Sequence, residues 1–214
     1  IEINFIKNHR ELNKIIKMDR KTIEFYNKNA HRYAEWRSKE SADLSQRIFL
    51  NEVKLNGKII DLGCGTGEKA IWFNKKGLKV DAVDASFEML EKFKQFKDIN
   101  TKQIDLSKIM FLKKYDGVWA SFSIQHLERN IQDSLIKKIS NTLNKNGIFY
   151  IGIHEGNKSY RDNLHRLYVP RSETELKKIL KKNKLQIFNF FKENNFSFDN
   201  KPIKIMHIFS KLKV

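Results

Sequence analysis

The chain is poor in cysteine, and this scarcity excludes two kinds of structure. Cys64 is the only cysteine in 214 residues, so the chain forms neither an internal disulfide nor a zinc site built from several cysteines. This usage favours a reducing compartment, and we expect the protein in the cytoplasm. Nothing in the sequence calls for a metal ion.

Long apolar runs are also lacking. None reaches the roughly 18 residues of a membrane-spanning helix, so we expect no membrane span. Polar and charged residues are spaced through residues 1–17, so the apolar centre of a signal peptide is lacking. We expect these residues to form an N-terminal extension or helix. There are no internal repeats or evident linkers, so residues 18–214 are predicted to form a single domain.

Acidic residues are scarce relative to basic ones, with 25 against 42 and a net charge of +17. Such an excess can mark a nucleic-acid or anionic-membrane partner. Lysine outnumbers arginine, however, and the lysines are scattered rather than confined to one stripe, which is typical of solvated faces. The charge alone leaves both interpretations open.

The most informative stretch is a glycine turn between a strand and a helix. A β-branched run over residues 58–62 leads into Gly63, Gly65 and Gly67, and a helix-like segment over residues 68–76 follows. Glycine lets the backbone approach a ligand, and the free N–H groups of a helix start face it. This order predicts a loop that cradles a nucleotide-like molecule.

From this turn onward, strand-like and helix-like segments alternate. The predicted strands span residues 59–62, 79–83, 101–104, 115–121 and 148–154. The predicted helices span residues 68–76, 87–96 and 131–143. Successive β-α units predict a parallel sheet with helices on both faces.

Two helices, over residues 22–39 and 41–53, are predicted to cap the domain within residues 22–56. Ser41 is the predicted N-cap of the second helix. Three of its residues are expected to face inward: Leu44, Ile48 and Leu50.

The C-terminal part breaks the alternation. Residues 155–171 form a polar, aromatic-bearing excursion, predicted to be irregular. Ser172 is expected to cap a helix over residues 173–182. Two strands in hairpin order, over residues 185–191 and 203–212, then imply an antiparallel last pair.

Three carboxylates end three successive strands. Asp61, Asp84 and Asp105 should meet at one edge of the sheet, where Asp84 can bind both hydroxyls of a ribose and Asp105 lies near an adenine amine. The spacing G-x-G-x-G also differs from the G-x-G-x-x-G of NAD-binding proteins. With no basic residue in the turn, a pyrophosphate would be repelled, so the pattern favours a nucleoside ligand without phosphates.

These segments resemble the successive motifs of class I S-adenosylmethionine-dependent methyltransferases. The motifs are Asp61-Leu-Gly-Cys-Gly-Thr-Gly67, Val83-Asp-Ala-Ser86, Asp105-Leu106 and Tyr115-Asp-Gly-Val118. The resemblance runs from Thr22 to the C-terminus. It implies a Rossmann-like α/β fold, with a seven-stranded, mostly parallel sheet, an antiparallel last strand and helices on both faces. It also implies S-adenosylmethionine as methyl donor and S-adenosylhomocysteine as product.

The resemblance further implies how the cofactor is bound. Gly63 and Gly65 would pass close to the methionine part, Asp84 would bind the ribose, and Asp105 with Leu106 would flank the adenine. Tyr26 and Tyr33 resemble the tyrosines of an N-terminal helix that covers the cofactor in many small-molecule members. The predicted cofactor-binding set is Tyr26, Tyr33, Asp61, Gly63, Cys64, Gly65, Asp84, Ala85, Ser86, Asp105, Leu106 and Ser121. Within it, Cys64 is expected to be a small turn residue rather than a nucleophile.

Two histidines are the candidate catalytic residues. Methyl transfer is an in-line displacement that benefits from a base near neutral pKa when the acceptor is an oxygen or a protonated amine. His126 follows the fourth strand and His154 ends the fifth. Packing at a helix start explains His126 equally well, whereas Glu155 and a polar aromatic segment beside His154 favour a functional role. His207, on the last strand, is expected to be a packed residue.

The excursion supplies the candidate acceptor site. It contains Tyr160, Arg161, Arg166 and Tyr168. Two arginines and two tyrosines suit an anionic acceptor such as a carboxylate or phosphate. A solvated loop explains the same cluster equally well.

We expect transfer of a methyl group to an O, N or S atom of a small molecule. The chain lacks the Asn-Pro-Pro-Tyr or Asp-Pro-Pro-Tyr sequence of nucleic-acid amino methyltransferases, and residues 116–127 resemble bacterial small-molecule methyltransferases of the ubiquinone-biosynthesis and tellurite-resistance-like groups. The alternatives are a tRNA or rRNA methyltransferase that uses the basic surface and a non-catalytic, cofactor-binding regulatory protein. An NAD enzyme is the weakest alternative.

Overall fold

The computed structural model describes residues 18–38 and 43–213. The predicted extension over residues 1–17 and the predicted N-cap Ser41 lie outside them.

The described chain forms the alternating order that the sequence predicts. The helices are α1 (Arg20–Ser38), α2 (Leu44–Glu52), α3 (Glu68–Lys75), α4 (Phe87–Glu91), α5 (Arg129–Thr142) and α6 (Glu173–Lys182). The strands are β1 (Lys58–Leu62), β2 (Lys79–Asp84), β3 (Asn100–Gln103), β4 (Tyr115–Ser121), β5 (Leu143–His154), β6 (Tyr160–Arg161), β7 (Leu167–Tyr168), β8 (Leu185–Phe196) and β9 (Pro202–Leu212). Short 3₁₀ turns occupy Leu106–Lys108 and Ile124–His126.

Seven strands form one sheet in the order β3-β2-β1-β4-β5-β9-β8. Strands β1 to β5 pair with one another in parallel, and β9 is antiparallel to both β5 and β8. This confirms the predicted fold class. The chain order reverses between β1 and β4, and in open parallel sheets the crevice beyond the carboxyl ends at such a point is the usual ligand site.

The central strands β1 and β4 are buried on both faces of the sheet, since their successive side chains point to opposite faces and are mostly buried. Val118 belongs to one apolar cluster and its neighbour Trp119 to the other. The Trp119 ring stacks on Tyr150 at 3.8 Å and meets Phe49 and Phe73 edge to face. Near-continuous apolar strands are what a doubly covered parallel sheet requires.

The second cap helix differs from its prediction. Asp43 is its N-cap, accepting from the Gln46 N–H in a capping box. Its buried face comprises Ser45, Gln46 and Phe49. Leu44 is 59% exposed, so the prediction that it faces inward is wrong, while Ile48 and Leu50 are half-buried. The helix orients Phe49 toward Trp119 and Phe73, and this tertiary contact sets its rotation.

The C-terminal hairpin is longer than predicted. Strand β8 continues to Phe196, and β9 already begins at Pro202, so the loop shrinks to residues 197–201. The extension was not predicted because the residues after Phe191 are polar. An edge strand, however, tolerates polar residues. The excursion is also more regular than predicted, because β6 and β7 pair antiparallel.

Strand β5 likewise starts earlier than predicted, at Leu143, and its pairing with β4 shifts register between Tyr115 and Gly117. Asn146 has a positive φ of 62° there. The sequence 144–147 therefore forms an irregularity within the strand rather than a separate turn. In the described part of the chain, no helix is both long and apolar enough to cross a membrane.

Candidate active site

The glycine turn adopts a backbone that other residues could not. Gly63 and Gly65 have φ of 73° and 54°. A Cβ on Gly63 would lie 2.2 Å from the Cβ of Ser123. The Gly63 N–H donates to the carbonyl of Val83 at 2.8 Å, which ties the turn to the end of β2. The turn thus lies against β2 with its backbone open to the crevice.

Asp84 is fixed beside this turn by backbone donors. Its Oδ2 accepts from the Gly65 N–H at 2.9 Å and its Oδ1 from the Ser86 N–H at 2.8 Å. Burial raises the pKa of Asp84, while these backbone hydrogen bonds oppose the rise. Ser86 in turn caps α4 by accepting from the Met89 N–H. The carboxylate is therefore oriented before any ligand binds, which is what a ribose-binding acid requires.

Asp61 is buried in an environment that is unfavourable for a carboxylate. It is 2% exposed, and in the described structure its Oδ2 has no hydrogen-bond partner. Burial raises the pKa of Asp61 to about 8, and the negative charges of Asp84 and Glu68 add to the rise. A buried oxygen without a partner costs about 1–3 kcal/mol. A ligand that brings an amino group to Asp61 would remove this cost, so the residues fit a cofactor with an amino-acid part.

Helix α1 covers the crevice and is fastened at several points. The Ser86 hydroxyl donates to Oδ1 of Asn27 at 2.6 Å, and the Leu167 N–H donates to the Thr22 hydroxyl at 2.8 Å. Asp19 forms an ion pair with Arg161 at 2.8 Å. Tyr26 and Tyr33, which the sequence assigned to the cofactor, both line the crevice below the helix.

Asp105 is engaged locally. Its Oδ1 accepts from the Ser107 N–H at 2.9 Å, which caps the short 3₁₀ turn, and its Oδ2 accepts from the Met18 N–H at 3.1 Å. Leu106, one residue on, is buried and lines the crevice with Met89. The adenine region is thus apolar, and contact between Asp105 and an adenine stays a prediction.

The structure brings the predicted cofactor set together, apart from Asp105. Nine of its members line the main crevice: Tyr26, Tyr33, Gly63, Gly65, Asp84, Ala85, Ser86, Leu106 and Ser121. Asp61 and Cys64 line an adjoining recess that shares Gly63, Gly65 and Ser121 with the crevice. Burial raises the pKa of the Cys64 thiol well above its usual value, so the thiol stays protonated, in keeping with a turn residue.

A second cavity of about 820 Å³ adjoins the crevice. Tyr26, Tyr33 and Phe122 line both spaces. The far wall comes from the β8–β9 hairpin, whose tip places Phe198 5.6 Å from Tyr33 and 5.5 Å from Trp36, centroid to centroid. Sequence reasoning missed this wall because the first strand of the hairpin was predicted to end at residue 191, whereas β8 continues to Phe196.

Phe122 is a second residue that sequence reasoning missed. It has a positive φ of 58°, and its N–H donates to the Gly152 carbonyl at 2.8 Å. A bulky residue in this conformation is unusual and often marks a functional position. Its place directly after the predicted strand end Ser121 was the available signal.

Both ring nitrogens of His126 take part in hydrogen bonds. Its Nδ1 lies 2.6 Å from the Leu167 carbonyl, which only accepts, so Nδ1 carries the proton. Its Nε2 then accepts from the Tyr26 hydroxyl at 3.1 Å. Burial lowers the pKa of His126 to about 4. His126 therefore holds the Tyr26 hydroxyl in place.

His154 has a more available nitrogen. Its ring stacks on Tyr168 at 5.0 Å, and its Nδ1 lies 3.3 Å from the Tyr160 hydroxyl. The described residues give its Nε2 no hydrogen bond, and the side chain lines the large cavity. Burial lowers the pKa of His154 to about 4, with a smaller contribution from His126. The ring is therefore neutral near pH 7 and able to accept a proton.

The two predicted acceptor arginines are already paired. Arg161 binds Asp19, and Arg166, buried at 2% exposure, pairs with Asp162 at 2.7 Å and with Asp199 at 3.3 Å. Of the predicted acceptor set, Arg166 and Tyr168 line the large cavity, while Tyr160 stacks behind Tyr168. Neither arginine offers an uncompensated charge to an anion.

Comparison with known proteins agrees with this geometry. The methyltransferase domain family matches residues 59–147, from β1 to the start of β5. Together with the fold, this match supports the class I S-adenosylmethionine-dependent methyltransferase domain that the motifs indicate. S-adenosylmethionine is accordingly its cofactor, as predicted.

Curated relatives share part of this domain. An uncharacterized methyltransferase of Staphylococcus carnosus is 24% identical over 123 residues, covering 56% of this chain and 59% of that protein. A carboxy-S-adenosyl-L-methionine synthase of Campylobacter concisus is 28% identical, covering 51% and 49%. The chain thus spans about half the length of these relatives. A longer match, 28% identical to the same-named enzyme of Campylobacter hominis, covers 74% and 82%.

Solved structures share the fold of the methyltransferase domain and its flanking elements. The 1,6-didemethyltoxoflavin-N1-methyltransferase of Burkholderia thailandensis superposes with a TM-score of 0.71 at 17% identity, covering 90% of this chain and 87% of that one. TehB of Haemophilus influenzae gives 0.71 at 16% identity, covering 85% and 66%.

Proposed function

We propose that the chain transfers the methyl group of S-adenosylmethionine to an O, N or S atom of a small molecule held in the large cavity. The observation that carries the proposal is the wall shared by the two spaces. Tyr26, Tyr33 and Phe122 line both the cofactor crevice and the cavity. A donor in the crevice and an acceptor in the cavity would therefore meet at these rings.

Different crevice residues would hold different parts of the cofactor. Asp61 and the glycine turn would bind its amino-acid part, and Asp84 would bind the ribose hydroxyls. Leu106 and Met89 would contact the adenine. The cofactor, when bound, supplies a methyl group on a positively charged sulfur. The protein adds alignment and exclusion of water, which suffice for much of the rate of an in-line displacement.

His154 is the proposed general base. Its neutral ring lines the cavity, and its Nε2 can take the proton that an acceptor loses as the new bond to carbon forms. Tyr168 and Tyr160 hold the ring from one side. A base with a pKa of about 4 is weak, so we expect its contribution to be smaller than that of alignment.

Labelled methyl transfer tests the proposal. The protein is incubated with [methyl-³H]S-adenosylmethionine and either a small-molecule extract or bulk tRNA, and the products are separated by size. The proposal expects label in the small-molecule fraction. Label in RNA that disappears after RNase treatment would instead support the nucleic-acid alternative, and binding without transfer to either pool would support a regulatory role.

A further inference from the structure

The large cavity contains a carboxylate that no sequence motif indicated. Glu193, on β8, lines the cavity with its side chain 44% exposed. Among the described residues, no lysine or arginine lies within ion-pair distance of it. The neighbouring acid Asp43, by contrast, pairs with Lys69 at 2.8 Å. Glu193 is thus a carboxylate without a lysine or arginine partner among the described residues.

A buried histidine lies directly behind this carboxylate. Nε2 of His207 is 3.3 Å from Oε1 of Glu193, and in the described structure it has no hydrogen-bond partner. Its Nδ1 contacts the Ser45 hydroxyl at 2.8 Å and the Tyr150 hydroxyl at 2.9 Å. His207 is 5% exposed, in keeping with the packed residue expected from the sequence.

Four charged side chains line the cavity, and three of them are engaged within the chain: Arg37, Asp43 and Arg166. The fourth is Glu193. Arg166 is neutralised by Asp162 and Asp199, whereas Glu193 is not neutralised by any described cation. An added anion would meet the uncompensated carboxylate, while an added cation would be attracted to it.

Aromatic side chains form much of the remaining lining, beside polar residues such as Gln125, Asn195 and Asn200. Its rings come from α1, from the end of β4, from the excursion and from the hairpin: Tyr33, Trp36, Phe122, Tyr168, Phe191 and Phe198. Phe191 also stacks on His207 at 4.5 Å, with an interplanar angle of 10°. Flat faces suit a flat ligand, and ring faces also attract cations.

We propose that the acceptor is a planar aromatic molecule with a positively charged amine, whose ring lies among these aromatic side chains and whose amine pairs with Glu193. His207 is a positioning residue, because its Nε2 lies 3.3 Å from Oε1 of Glu193 and is available to donate to it while Nδ1 faces two hydroxyls. The inference rests on the proposed methyl-transfer function, because it assigns the cavity to the acceptor. It replaces the anionic acceptor that Arg161 and Arg166 suggested from sequence.

Three fluorinated indoles that differ in charge provide the test. Ligand-observed ¹⁹F NMR measures the Kd of 5-fluorotryptamine, 5-fluoroindole and 5-fluoroindole-3-acetate in the presence of S-adenosylhomocysteine. We expect 5-fluorotryptamine to bind about fivefold more tightly than 5-fluoroindole, since a partly exposed charge pair contributes up to about a factor of five. The acetate should bind most weakly. Tightest binding of the acetate, or no binding of any probe, would overturn the proposal.

Substitutions of Glu193 and His207 then test whether these two residues cause the preference for 5-fluorotryptamine. Glu193→Gln should weaken 5-fluorotryptamine about fivefold and leave 5-fluoroindole unchanged, whereas Glu91→Gln, which removes an acid on α4, should change neither. His207→Asn keeps a polar group near the Nδ1 position but not near Nε2, and should weaken the tryptamine about twofold to threefold. His207→Gln, which restores a polar group near Nε2, should recover part of the loss. Equal effects of both His207 variants would contradict the positioning role.

The failure of each proposal gives a different result. Binding of S-adenosylhomocysteine to every variant shows that the fold and the crevice are intact. Charge-ranked probe binding without methyl transfer to any small molecule would overturn the proposed function alone. Methyl transfer to small molecules combined with charge-independent probe binding would overturn the amine assignment alone.

Discussion

The Tyr26 hydroxyl donates to Nε2 of His126 at 3.1 Å, and this contact joins the covering helix α1 to the end of the sheet. The ring of His126 is oriented by the Leu167 carbonyl on its other side. Tyr26 is therefore held over the crevice by His126, one of the two candidate catalytic histidines.

Tyr26→Phe should leave Nε2 of His126 buried without a donor. We expect a loss of about 1–3 kcal/mol in the free energy of unfolding, measured by urea denaturation. A double-mutant cycle with His126→Ala should give a coupling energy of about 1 kcal/mol. Additive effects of the two substitutions would show that the contact contributes nothing.

Asp84→Ala should abolish most cofactor affinity while the fold survives. Two hydrogen bonds from ribose hydroxyls to a carboxylate contribute about 1.5–3 kcal/mol each, so a loss of about a hundredfold or more is expected in calorimetry. Circular dichroism checks the fold. Unchanged affinity would contradict the assignment of Asp84 to the ribose.

Cofactor binding should release a proton below pH 8. The pKa of Asp61 is raised to about 8 in the described structure, chiefly by burial, and a bound ammonium group would lower it. Calorimetry at pH 7 in buffers with different ionisation enthalpies measures this release. An enthalpy that does not depend on the buffer would mean that Asp61 does not receive the amino group.

The same carboxyl should make the unliganded protein less stable at higher pH. A folded pKa of about 8, above the ordinary value of 3.8, means that the contribution of Asp61 is fully present below pH 4 and is lost as the pH rises through 8. Asp61→Asn should therefore raise Tm more at pH 8 than at pH 5. A Tm difference that does not vary with pH would contradict the raised pKa.

His154 and His126 should act differently in catalysis. With an acceptor in hand, His154→Gln should slow single-turnover methyl transfer by about tenfold to a hundredfold, with a smaller effect for His126→Gln. Because burial lowers the pKa of both to about 4, the rate should show no histidine titration between pH 6 and 8. If neither variant slows the chemical step, alignment alone drives the reaction.

Much of the fold could be predicted because its signals are local. Strand β1, the glycine turn and the carboxyl ends at Asp61 and Asp84 follow from short patterns of residue type. The orientation of α2 could not, since it depends on Phe49 meeting Trp119 and Phe73 from distant parts of the chain. The same holds for Leu44, which the helix turns outward.

The acceptor side was harder to predict for a related reason. Arg161 and Arg166 are cations in the sequence, but the fold pairs them with Asp19, Asp162 and Asp199. Glu193 lies in a polar stretch that has no strand pattern, yet β8 carries it to the cavity. Charge in a sequence therefore indicates a binding site only after its partners are known.

The most direct test of the central claim is calorimetric titration of the protein with S-adenosylhomocysteine and, separately, with NAD. The account predicts saturable binding of S-adenosylhomocysteine that Asp84→Ala removes, and no binding of NAD. Binding of NAD in place of S-adenosylhomocysteine would contradict it.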